Sequence, residues 1–179
     1  MKPRFDSVEL ESYSQTVSQK TVSSFTRALK AVFEESGVSS LQVGESVARE
    51  SSTAPSQTFQ VSVSVGIAGG IKGYMFLQLD TTTASALAQE LSRSLGVPLD
   101  DPEEFGSMHR AALAELANQI SGRATMYLSE AGVDARITPP SVMTGSGITL
   151  AVADGLRFYD TAVAGPGGTF ALVVGLQES

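Results

Sequence analysis

An α+β fold, with long helices packed on a mostly antiparallel sheet, is what this sequence predicts, and three observations predict it. Two long segments, one in each half of the chain, repeat apolar residues at helical spacing. Short β-branched or alternating stretches follow each of them, separated by glycine-bearing turns. The order is helix, three strands, helix, then helix and four short strands, so elements come in blocks and not in strict alternation.

The first helix is expected from about Val8 to Ser36. Val17, Val22, Phe25, Leu29, Val32 and Phe33 recur every three to five residues, and Gly37 supplies the stop. A weak strand at Leu41–Ala48 follows, then a Ser/Thr/Pro loop at 51–56. Phe59, Val61, Val63, Val65 and Ile67 alternate with Gln60, Ser62, Ser64 and Gly66, the pattern of a half-buried strand. Ala68-Gly69-Gly70 turns the chain, and Ile71–Leu79 returns it. Asp80 opens a second helix with Ala84, Leu87, Ala88 and Leu91 on one face and Gly96 at its end. Pro102-Glu103-Glu104 opens the longest helix, which runs to about Ala131 on a stripe including Leu113, Leu116, Ile120, Ala124 and Leu128. Strands are expected at 133–138, 148–152, 156–164 and 169–176, with turns at Asp154-Gly155 and Gly165–Gly168. The chain is expected to be a single domain over residues 1–179. Glu34-Glu35-Ser36-Gly37-Val38 resembles Ser129-Glu130-Ala131-Gly132-Val133 at an offset of 95 residues. That points to an internal pseudo-repeat with halves of about 8–97 and 102–177.

Composition narrows the chemistry. With 12 Lys+Arg against 19 Asp+Glu, the net charge of −7 leaves no basic face for nucleic acid. The absence of cysteine removes disulfides, thiolate metal sites and a cysteine nucleophile. A single histidine, His109, cannot build a multi-histidine centre; beside Arg110 it reads as a surface residue. The start Met1–Ser7 has no apolar core for a signal peptide. No segment reaches the roughly 18 apolar residues of a membrane span, so a cytoplasmic protein is expected.

Gly66–Gly73 invites comparison with a phosphate-binding loop. However, Lys72 is followed by glycine, and the segment joins two strands instead of opening a helix. A hairpin turn is the better reading. Asp100-Asp101 and Glu103-Glu104 read as helix-start charges. On the long helix, Glu115 and Asn118 sit three residues apart, about 60° around the axis, with Gly122 on the same face. Such a face offers another protein's backbone a close approach.

Three segments in order carry a family resemblance: Val65–Gly73, Ala114–Gly122 (AELANQISG) and Ile137–Gly145 (ITPPSVMTG). Together they resemble the CheC/CheX/FliY family of chemotaxis phosphatases, over about residues 15–165, and most closely its CheX type. The resemblance implies a CheC/CheX-like fold and hydrolysis of the aspartyl phosphate of a phosphorylated CheY-like response regulator. It implies that Glu115 contacts the regulator's lysine and Asn118 holds the attacking water, with Gly122, Pro139 and Pro140 meeting the partner. It implies Mg2+ on the regulator and no cofactor or metal ligand in this chain. It also implies a homodimer with one site per chain, because the 95-residue offset sets Lys20 and Ser23 opposite Glu115 and Asn118. The family pattern carries Ser or Asp four residues before the glutamate, where this chain has Ala111. A non-catalytic adaptor for a response regulator or a flagellar switch component is the alternative.

Overall fold

Helix periodicity and strand alternation resolve into ten elements in a computed structural model, which describes residues 7–38, 40–50, 59–99, 105–148 and 155–177. They are α1 (Ser7–Glu35), β1 (Gln42–Glu50), β2 (Val61–Gly69), β3 (Gly73–Leu79), α2 (Thr81–Ser94), α3 (Ser107–Glu130), β4 (Ala135–Ile137), β5 (Ser141–Thr144), β6 (Leu156–Gly165) and β7 (Gly168–Gln177). The seven strands form one sheet in the order β1-β6-β7-β3-β2-β4, with β5 also pairing β2. Every described pair is antiparallel. Exchanging β1, β2 and β3 with β4, β6 and β7 reverses this order and returns it unchanged.

All three helices cover one face of the sheet. Phe25, Leu29 and Phe33 of α1, Leu87 of α2 and Leu113, Ile120 and Leu128 of α3 pack on alternate residues of β2, β3 and β7 in a single buried cluster. Phe76, Leu156, Phe158 and Val173 form a second, smaller cluster from the intervening positions, hence on the opposite face. Phe76 and Val173 are therefore core residues on a face that β2's alternation marks as polar. Ser62, on that face of β2, is fully buried.

Helix ends follow local chemistry. Asp80 accepts from the Thr83 amide at 2.7 Å and caps α2. Gly37, Gly96 and Gly132, all at positive φ, end α1, α2 and α3. In each case the next residue's amide reaches back to the helix: Val38 to Phe33 O, Val97 to Ser92 O and Val133 to Leu128 O. The matching ends of α1 and α3 thus use a device that α2 shares.

Several boundaries differ from expectation. Helix α3 begins at Ser107, with Gly106 in extended conformation before it, and α1 is the longer helix at 29 residues against 24. Gly69 still belongs to β2, so the hairpin turn lies at Gly70–Lys72. The expected strand at 133–138 shortens to three residues, and β5 was not foreseen. Ile148 is not in a strand, while 149–152 lie outside the described residues, as do the expected loop at 51–56, Asp154 and the acidic pairs at 100–104.

Candidate functional site

Helix α3 lacks a capping side chain at Gly106, and its first turn is instead held from inside. The Gly106 amide donates to His109 Nδ1 at 3.2 Å, and the imidazole lies against Phe105 with ring centroids 5.4 Å apart. His109 is 1% exposed, which corrects the surface expectation. Its spacing gives the reason: residues 109, 113, 116 and 120 advance by four, three and four, one helical stripe, and that stripe faces the sheet. Its Nε2 is buried without a hydrogen-bond partner. A group sealed in this way cannot meet a substrate.

The opposite face carries the candidate residues. Glu115 and Asn118 are exposed, while Leu116, Ala117 and Ile120 between and beyond them are buried. The backbone beneath the pair is thereby fixed by packing. The Gln119 amide donates to Glu115 Oε1 at 2.8 Å and orients the carboxylate. Gly122 lies one turn beyond Asn118; a Cβ built there meets no atom within 4 Å. Among the described residues, no neighbour requires a glycine at that position.

Two contacts tie this helix to α1. Arg123 donates to both carboxylate oxygens of Glu35, each at 2.7 Å. The Arg27 guanidinium lies 3.8 Å above the Tyr127 ring. Arg123 beside Glu35 holds that carboxyl below its ordinary value, and Glu35, with Tyr127 second, holds Arg123 above its own. Gln119 and Arg123 were not singled out from sequence. The i, i+4 spacing of Glu115 and Gln119 was a legible signal, whereas Glu35 is 88 residues from Arg123.

Exposed Glu115 and Asn118 and half-buried Gly122 therefore share one face of the helix. Pro139, exposed, and Pro140, half-buried, lie elsewhere, on the connection from β4 to β5. Thr138 sets that connection: its amide donates to Gly66 O at 3.0 Å, and its Oγ1 accepts from the Gly66 amide at 2.8 Å. Both strands pack beside α3, but among the described residues no hydrogen bond links the prolines to Glu115 or Asn118. The Gly70–Lys72 turn joins two strands and offers no helix N-terminus to a phosphate. It lines a groove of about 580 Å3 with Tyr13, Gly132 and Asp134, near the other end of α3.

Among the described residues, no group of three or more His, Asp or Glu could hold a metal ion. No helix there is long and apolar enough to cross a membrane. What the stripe offers is one oriented carboxylate, one carboxamide and open space above a glycine. A carboxamide can donate to and accept from a water molecule; a carboxylate can pair with a cation.

The same region is matched in known proteins. The family model described as chemotaxis phosphatase CheX matches residues 61–161, which include Glu115, Asn118, Gly122, Pro139 and Pro140. The CheY-P phosphatase CheX of Thermotoga maritima is 27% identical over 81 residues, 45% of this chain and 49% of that protein. The chain thus spans about half the length of the curated relative that it matches. Among solved structures, a CheC-like superfamily protein from Shewanella sp. PV-4 superposes with a TM-score of 0.74 at 20% identity, covering 89% of this chain and 98% of that one. The CheX–CheY–BeF3–Mg2+ complex from Borrelia burgdorferi matches with a TM-score of 0.69 at 25% identity, covering 88% and 97%. The fold is that of the CheC/CheX structures, and the match over more than half its length shows that this chain belongs to the chemotaxis phosphatase CheX family.

Proposed function

We propose that this protein hydrolyses the aspartyl phosphate of a CheY-like response regulator, with Glu115 and Asn118 as the catalytic pair. The observation that carries this reading is their joint exposure, beside half-buried Gly122, on one face of a helix whose other face is locked into the core. The CheX–CheY complex of a relative supports the choice of partner.

In this mechanism Glu115 pairs with a lysine of the regulator and sets α3 across the phosphorylated pocket. The Asn118 amide holds a water in line with the acyl phosphate. Water attacks phosphorus, the bond to the aspartyl oxygen breaks, and the regulator's free carboxylate and inorganic phosphate leave. Phosphoryl transfer asks a protein mainly for positioning and electrostatics, so two polar side chains on a fixed helix suffice on this side of the interface. Mg2+ held by the regulator neutralises phosphoryl charge when bound. Gly122 accepts the partner's backbone, and the Pro139-Pro140 connection borders the contact.

The protein acts in the cytoplasm as a single domain and a homodimer. Edge strand β1 is the expected dimer contact, since antiparallel pairing groups on its outer side meet no described strand. The exchange symmetry of the strand order supports descent of the two halves, about 8–97 and 102–177, from one helix-and-three-strand unit.

The test is the decay of phosphorylated CheY of the same organism with and without this protein. Faster decay is expected; unchanged decay at concentrations where the two bind sinks the enzymatic reading. Ala111, where the family pattern has Ser or Asp, favours one alternative: an adaptor that binds or sequesters the regulator without shortening its phosphate lifetime.

A further inference from the structure

The stripe that bears the candidate pair continues past Gly122 to Met126. Residues 115, 118, 122 and 126 advance by three, four and four, so they fall within an arc of about 80° around the helix. Met126 is 61% exposed. Among the described residues, the other exposed large apolar side chains sit on other elements: Tyr13 on α1, Val47 on β1, Tyr74 on β3, Met143 on β5, and Leu95 and Val97 after α2. The residues beside Met126 are tethered, Tyr127 beneath Arg27 and Arg123 by Glu35, both toward α1. Met126 is left exposed, with two held neighbours to its α1 side.

Resting on the regulator-docking reading above, we propose that Met126 is the apolar anchor with which α3 grips its response regulator, outside the reacting centre. A thioether on four single bonds adapts to an imperfect surface, and methionine, tyrosine and arginine are residues that protein interfaces favour. The scale fits. Met126 lies about 12 Å along the helix from Asn118. A standard interface covers roughly 800 Å2 per partner, a disc of about 16 Å radius. Met126 thus falls within the footprint but beyond contact with the phosphate. Gly122 lies between the two sites with open space above it, so one partner surface can cover both. An anchor of this kind adds affinity equally to ground and transition states. It lowers KM and leaves kcat alone.

The experiment compares wild type with Met126→Gln and Met126→Leu. It measures phosphate decay on CheY of the same organism, and affinity for that CheY loaded with beryllofluoride and Mg2+. Met126→Gln keeps length and helix propensity, and is expected to raise KM and Kd about fivefold with kcat and Tm unchanged. Met126→Leu is expected to stay within about twofold of wild type. Unchanged Kd in Met126→Gln, or a fall in kcat with KM unmoved, overturns the anchor. Binding by the wild type without faster decay rejects the phosphatase reading alone, and the affinity series still decides the anchor. No binding by the wild type overturns both.

Discussion

An amide and a carboxylate at position 118 are nearly the same size but offer a water molecule different things. The amide both donates and accepts; the carboxylate only accepts, and brings negative charge to a phosphoryl group. Asn118→Asp is therefore expected to lower the rate of regulator dephosphorylation at least about a hundredfold while Tm holds, because the side chain is exposed. Single-turnover decay of the phosphorylated regulator measures this, and a variant with more than a tenth of wild-type activity contradicts it. Gly122 makes the complementary case. A mid-helix glycine costs about 1 kcal/mol relative to alanine, and nothing among the described residues compensates. Gly122→Ala should raise Tm by about 2–4 °C and weaken binding to the regulator. Calorimetry and a binding titration together check it; a gain in stability with no loss of affinity contradicts a role in docking. At this scale the sequence was legible unevenly. Glu115 and Asn118 stood out only through the surrounding family-like segments, since Glu-x-x-Asn alone is ordinary helix surface. His109 was misplaced because its neighbour Arg110 suggested solvent, although its register with Leu113, Leu116 and Ile120 already placed it inside.

Between elements, the Glu35–Arg123 pair is the titratable link between α1 and α3. Its sign follows from the depressed carboxyl. Glu35 ionises below its ordinary value in the folded state, so the stabilisation is present above that ordinary value and fades as pH falls through the folded one. Glu35→Gln should thus lie slightly below wild type in Tm near about pH 7 and converge with it as pH falls through the lowered folded value. The difference is small because the pair is solvent-exposed. A gap that persists in acid argues against the ion pair as its cause. The sheet is less forgiving. A Cβ on Gly73 of β3 falls 2.0 Å from the Gly175 carbonyl oxygen of β7, backbone against backbone. Gly73→Ala should force these central strands apart and cost at least about 2 kcal/mol by denaturant unfolding; an unchanged midpoint contradicts this. Such an approach is invisible in sequence, because the two glycines are remote until the β3–β7 register joins them. The helices and the β2–β3 hairpin were legible because their periodicity and caps agree. Strand β5 was not, because four residues after two prolines carry too little alternation.

For the whole molecule, the expected homodimer can be tested at β1. Val47, exposed in the middle of this edge strand, is a site where a lysine blocks edge-to-edge pairing. Val47→Lys should convert dimer to monomer by light scattering with little change in Tm. A dimer that survives the substitution moves the contact elsewhere. The α+β class and the placing of helices on an antiparallel sheet could be inferred from block order alone. The strand order could not, because β6 and β7 insert between the first half's edge strand and its hairpin, a long-range choice that no local pattern encodes. Glu115 and Asn118 rise from a helix whose inner residues are fully packed, so the backbone beneath the pair has little conformational freedom to lose when a partner arrives. Encounter then orders side chains but little backbone on this side, and complex formation should proceed as near-rigid docking, its speed set by diffusion and orientation.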